Sequence, residues 1–226
     1  MAAKQEYGLR TIVLASRKGG AGKTTLAAHL AVEALRQQAG PVAIIDSDPM
    51  GGLAAWWNVR KADEPAYAQV GTRGLREVLA QLQSDRVRLV VIDTPPAANS
   101  SIGSIIAAAD LVIVPVVPSP NDLRAIGETL ELIEGQGRPL IFALNNTTAR
   151  AKLTHEAASA LSQYGTVAPI AISTRQDFRS SMIDGLTVCE VSPGGKSAAE
   201  IAELWRYIAN RMERRAGGSH GTTVAA

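Results

Sequence analysis

Short apolar runs alternate along the chain with longer stretches in which apolar positions recur at helical spacing. The runs are "TIVLAS" (11–16), "VAIIDSD" (42–48), "VRLVVIDTPP" (87–96), "LVIVPVV" (111–117), "PLIFALNN" (139–146) and "TVAPIAI" (166–172). Each is short, dominated by Val, Ile and Leu, and bounded by turn formers, which predicts strands buried on both faces. Between them, helical patterns cover 23–38, 74–83, 100–110, 121–135, 151–165 and 197–215. The first stops at Ala39-Gly40-Pro41, and the fourth has Asn121 or Asp122 near its start. Strand–helix alternation over nearly the full length predicts an α/β fold: a doubly wound, mostly parallel sheet flanked by helices. No internal repeat or linker interrupts it. Residues 1–215 read as a single domain, and the small, polar stretch 216–226 as a disordered tail.

Composition narrows the class without naming a partner. The chain has 226 residues, 46% of them hydrophobic and only 4% aromatic, as suits a parallel sheet under Ala-rich helices rather than a β-sandwich. The net charge of +2 is too small to declare a nucleic-acid ligand. Cys189 is the only cysteine, so neither an intrachain disulfide nor a CxxC metal site is possible. The opening "MAAKQEYGLR" lacks an apolar h-region, and no run reaches the roughly 18 apolar residues of a membrane span. A cytoplasmic protein without a transmembrane segment is expected.

The chemistry concentrates where strands end, which is where doubly wound sheets bind ligands. "SRKGGAGKTT" (16–25) follows the first strand and opens the first helix. Gly22, Lys23 and Thr24 complete the phosphate-loop pattern G-x-x-x-x-G-K-[ST], with Arg17 in place of its opening glycine. Gly19, Gly20, Ala21 and Gly22 would turn backbone N–H groups toward an anion at the helix N-terminus. Lys23 would neutralise the outer phosphates of a nucleotide, Thr24 would ligate Mg²⁺, and Thr25 is a further phosphate donor. Asp93 ends a buried strand, as a carboxylate holding Mg²⁺ would. Asp46 and Asp48, two apart in "DSDP", share a side of an extended segment: one suits a metal-bound water, the other the attacking water. Asn145 offers an amide to a base edge, with Asn146 beside it leaving the choice open. His29, Cys189 and the three tryptophans read as packing residues.

Lys18 is left over, since one nucleotide needs one lysine. "KGGAGKTT", "IIDSDP" and "VVIDTPP" at these spacings resemble the ParA/MinD family of deviant Walker-A ATPases, from about residue 10 to 210. The resemblance implies ATP and Mg²⁺ as cofactors and slow ATP hydrolysis. It implies an ATP-dependent homodimer in which Lys18 reaches the partner subunit's nucleotide. It places Lys18, Lys23 and Asp48 in the hydrolytic machinery, Asp93 in the Walker-B role and Asn145 at the base.

Family members differ in what the dimer binds. The ParA branch binds DNA without sequence preference, and the MinD branch binds membrane through a C-terminal amphipathic helix. Here the last helix carries apolar positions spaced for packing and ends in a polar tail, which favours DNA and a nucleoid-associated protein. Between residues 150 and 215 there are nine Lys and Arg against seven Asp and Glu, so position decides rather than bulk charge. In "STRQDFRSS", Arg175 and Arg179 stand four apart on one side of an expected short helix and are the candidate DNA contacts. Arg150, Lys152, Arg211, Arg214 and Arg215 would extend that surface. The chain starts about ten residues before its first strand, so no operator-binding module is expected ahead of it. The resemblance further implies a ParB-like centromere-binding or cargo-adaptor partner that stimulates hydrolysis. The cargo would be a plasmid or chromosome, or a protein organelle such as the carboxysome. The alternatives are a MinD-like membrane-associated regulator and a metabolic ATP-dependent ligase on the same fold.

Overall fold

The computed structural model describes residues 8–96, 100–148 and 151–218. Among the described residues seven strands form one sheet: β1 (Arg10–Leu14), β2 (Val42–Asp46), β3 (Ala66–Tyr67), β4 (Leu89–Asp93), β5 (Leu111–Val116), β6 (Leu140–Leu144) and β7 (Thr166–Val167). Their order is β3-β2-β4-β1-β5-β6-β7, and every strand pairing is parallel. The chain leaves central β1 for one side, returns through β4 alongside it, and then builds the other side. The carboxyl ends of β1, β2 and β4 therefore share one rim: Leu14 is level with Asp93, and Asp93 with Asp46.

Burial on both faces explains the unbroken apolar runs. Ile12, Val13 and Leu14 have no exposed surface, yet alternate residues enter different cores. Ile12 and Leu14 join one cluster with α1 (Lys23–Arg36), α2 (Gly52–Val59), α8 (Asp177–Ile183), α9 (Val188–Val191) and α10 (Lys196–Gly218). Val13 joins the other, beneath α3 (Leu75–Ser84), α4 (Ser100–Ala107), α6 (Ile126–Glu134) and α7 (Ala151–Leu161). In α1, buried Ala27, Ala28, Ala31 and Ala34 let the helix lie close to the sheet. Among the described residues no helix is long and apolar enough to cross a membrane.

Several boundaries differ from the sequence reading. The strands are shorter, because the residues after Leu14, Asp46, Asp93 and Leu144 leave the sheet to build the rim. The expected strand 166–172 keeps ladder pairing only at Thr166–Val167. The expected helix 121–135 is two, α5 (Pro120–Arg124) and α6, broken at Ala125, and starts at a Ser119 cap rather than Asn121 or Asp122. Strand β3 and helices α2 and α9 had no counterpart in the reading. Of the supposed tail, 216–218 belong to α10, while 219–226 lie outside the described residues, as does Arg150.

Candidate functional site

The turn from β1 into α1 is shaped by glycines in left-handed conformations, Gly20 at φ 76° and Gly22 at φ 97°. Gly22 caps α1 without a side-chain hydrogen bond, which leaves the first N–H groups of a 14-residue helix facing the rim. The loop borders a cavity of about 360 Å³, a size suited to a small ligand. Gly19, Gly20, Gly22, Lys23, Thr24 and Thr25 line it on one side, Asp48 on another.

The two lysines are placed very differently. Lys23 is buried, donates to the Ser16 carbonyl at 3.1 Å, and burial lowers its pKa against the pull of Asp93 and Asp48. Lys18 is exposed and is not among the residues lining its own cavity. Its backbone N–H is turned back to the Ser16 hydroxyl at 3.3 Å.

Thr24 donates from Oγ1 to Asp93 Oδ2 at 2.5 Å. Asp93 is fully buried, and its Oδ1 has no partner among the described residues. Burial pushes its pKa up to about 7, countered by the Thr24 hydroxyl and by Lys23, and reinforced by Asp46 and Asp48. An orphaned carboxylate oxygen beside a threonine hydroxyl is the donor set a Mg²⁺ ion with phosphate and water ligands would use. No cluster of three or more His, Cys, Asp or Glu side chains suited to a metal exists among the described residues.

The paired aspartates have separate duties. Asp46 accepts from Asp48 N–H at 2.9 Å on Oδ1 and from Ala54 N–H at 2.8 Å on Oδ2, so it pins the loop and the start of α2. Asp48 accepts from Met50 N–H at 3.0 Å on Oδ1 and faces the cavity with Lys23. Ser47 Oγ donates to the Asp93 carbonyl at 2.6 Å, tying the two strand ends together.

Asn145 is buried and its Nδ2 donates to the Ala21 carbonyl at 2.8 Å, bracing the glycine loop from β6. Asn146, with φ 50°, joins it on the cavity wall. Arg175 precedes α8 and Arg179 lies within it, so the two do not share a helix face as expected. Both instead border the cavity, with Thr174 and Phe178. Arg175 is forked onto Glu200 of α10 at 2.6 and 2.8 Å. Burial raises the Glu200 pKa, but hydrogen bonds from Arg175 and Ser173 outweigh it and hold the carboxyl below its usual range. Arg179 is exposed. Lys152 pairs with Glu156 at 3.8 Å, Arg211 donates to Thr166 Oγ1 at 2.9 Å, and Arg214 and Arg215 are exposed.

Phe178 is a wall residue the sequence did not announce, as are Thr174 and Ile172. It is buried against His29 with ring centroids 5.3 Å apart. His29 in turn bridges α1 to α9, with Nδ1 at 2.8 Å from the Thr25 carbonyl and Nε2 accepting from Val188 N–H at 3.2 Å. A lone aromatic at a helix start carries no periodic signal, so only the fold reveals it.

A family model described as the CobQ/CobB/MinD/ParA nucleotide binding domain matches residues 12–188. The chain is 32% identical over 202 residues to the maintenance of carboxysome distribution protein A of Halothiobacillus neapolitanus, covering 84% of this chain and 91% of that protein. Among solved structures, the cell division ATPase MinD of Pyrococcus furiosus superposes with a TM-score of 0.72 at 21% identity, over 89% of this chain and 98% of that one. An ATP complex of McdA from Cyanothece gives 0.68 at 16% identity, over 97% and 99%. At those identities the likeness to the solved structures speaks for the fold. By the family match over most of its length, the chain belongs to the CobQ/CobB/MinD/ParA family of nucleotide-binding proteins.

Proposed function

We propose that this protein is a ParA-like positioning ATPase that closes on ATP as a face-to-face dimer and binds DNA without sequence preference. Hydrolysis, stimulated by a ParB-like or cargo-adaptor partner, then releases the DNA. The observation that carries this reading is the division of labour between the lysines. Lys23 is buried and lines its own cavity, whereas Lys18 is exposed and does not line it. A second cation outside the pocket is of most use to a triphosphate carried by another subunit, where it offsets the charge that would keep two phosphate-rich faces apart.

Within each pocket the N–H groups of Gly19 to Gly22, together with Lys23 and Thr25, hold the phosphates. Thr24 and Asp93 would hold Mg²⁺, which would supply charge neutralisation at the outer phosphates. Asp46 keeps the loop in place, and Asp48 orients the attacking water. Asn145 fixes the glycine loop from below, and Asn146, Thr174 and Phe178 form the wall available to the base. The family match to a nucleotide binding domain supports a nucleotide as ligand, and the likeness to a carboxysome distribution protein supports a large protein body as cargo. A plasmid or chromosome suits the same engine.

Sedimentation velocity with a non-hydrolysable ATP analogue tests the reading. The wild type is expected to shift to a dimer with the analogue but not with ADP, and Lys18→Ala to stay monomeric while still binding nucleotide. A Lys18→Ala protein that dimerises like the wild type would rule the reading out.

One observation favours a second reading. A cavity of about 620 Å³ lies across the Asp46–Asp48 loop, lined by Tyr67, Gln69 and Ser104 among others. It suits the acceptor pocket of an ATP-dependent ligase. ATPase activity raised by a small carboxylate or amine acceptor, and indifferent to DNA, would favour that reading.

A further inference from the structure

The deviant loop must do more than carry Lys18. Something must keep that lysine out of its own pocket. Two contacts from α6 act on the residue immediately before it. The Arg17 N–H donates to Thr129 Oγ1 at 3.2 Å, and the Arg17 guanidinium meets Glu128 Oε2 at 3.2 Å. Thr129 is 2% exposed, while Ile126, Leu130 and Ile133 bury the same helix against the sheet. The helix is therefore a fixed anchor for the first half of the loop. In the usual phosphate loop the residue at position 17 is a glycine, whose backbone turns toward the ligand. Here the N–H groups of Arg17 and Lys18 both point to protein oxygens, Thr129 Oγ1 and Ser16 Oγ.

We infer that Thr129 is a positioning residue for Lys18. Its hydroxyl captures the Arg17 N–H, commits the start of the loop to α6, and thereby aims Lys18 at the open face where a second copy docks. The exposed pair with Glu128 contributes less, since both partners are accessible, with 37% and 62% of their side chains exposed. This inference rests on the reading of Lys18 as a cation supplied to a neighbouring subunit. It adds the residue that makes such a supply geometrically stable, on a helix that does not line the cavity.

The test compares wild type, Thr129→Val, Thr129→Ser and Lys18→Ala. Dimer formation with a non-hydrolysable ATP analogue is measured by sedimentation, and affinity for fluorescent ADP by titration of the monomer. Valine keeps the shape and removes the hydrogen-bond acceptor, so Thr129→Val is expected to weaken the dimer about tenfold, the effect of one lost hydrogen bond. ADP affinity is expected to stay within about twofold, because the phosphate-binding half of the loop is untouched. Thr129→Ser restores the acceptor and is expected to dimerise like the wild type. Three results would overturn the inference: a Thr129→Val dimer as tight as the wild type's, a serine variant as weak as the valine one, or ADP affinity falling in step with dimerisation. If Lys18→Ala itself dimerises normally, the trans-lysine reading falls, and this inference with it.

Discussion

Gly22 is confined to glycine for two independent reasons. Its φ of 97° is left-handed, and a Cβ there would stand 2.1 Å from Asn145 Nδ2, the atom that braces the loop. Gly22→Ala is therefore expected to cost about 1–2 kcal/mol of backbone strain and to abolish nucleotide binding by displacing Asn145. Thermal denaturation and ADP titration check the two effects separately. His29 makes a different kind of prediction. Burial lowers its pKa from 6.5 to about 4, outweighing the Thr25 carbonyl and the nearby Glu190 and Asp177. Between those values the unfolded chain binds a proton that the folded chain refuses, so stability falls as pH drops from 6.5 toward 4. The loss should approach about 3 kcal/mol, and His29→Gln should flatten that part of the stability–pH curve. An unchanged slope in the variant would contradict it.

Helix α2 shows how one element joins distant parts of the site. At its start, Asp46 holds the Ala54 N–H, fixing the loop that carries Asp48. At its far end, Trp56 donates to the Leu186 carbonyl, and the Arg60 guanidinium forks onto Glu190 while lying 5.3 Å from the Trp56 ring centroid. The Arg60 side chain is 4% exposed, so breaking its pair strands a buried charge. Glu190→Ala, which leaves Arg60 unpaired, is expected to lose about 3 kcal/mol in urea denaturation, whereas an exposed pair such as Lys152–Glu156 should be worth under about 1 kcal/mol. This element was hidden in the sequence. "GGLAAWWNV" opens on two glycines, lacks a capping side chain, and is held by contacts to residues about 130 positions away. Strand β3 was equally silent, with two ladder residues at a sheet edge and no room for a pattern. By contrast, β1, β2, β4, β5 and β6 were legible, because burial on both faces leaves uninterrupted apolar runs. The glycine loop and the strand-ending Asp93 were legible as a pattern, because a rim built for phosphate and metal would need those residue types at those spacings. Arg175 and Phe178 were misplaced or missed because their roles depend on contacts that α8 and α10 bring from elsewhere in the chain.

Seen as a whole molecule, the nucleotide rim and the candidate DNA arginines share one end of the sheet. Arg179 is exposed there, while Arg175 is spent on Glu200. The two should therefore differ. Arg179→Ala is expected to weaken ATP-dependent DNA binding and lower its salt slope by about one, whereas Arg175→Ala should change the slope little. Filter binding at several salt concentrations, with ADP affinity measured alongside, separates them. Glu200→Gln should loosen Arg175 and strengthen DNA binding if that guanidinium can then reach a phosphate.

The central claim is that each active site is completed by a lysine from the other subunit. Mixing two inactive variants tests it most directly. Lys18→Ala keeps its own Asp48, and Asp48→Ala keeps a Lys18 to donate, so a mixed two-fold dimer would contain one complete site. An equimolar mixture is expected to recover ATPase activity that neither variant shows alone, from the one complete site of each mixed dimer. A mixture as inactive as its components, although mixed dimers form, would contradict it.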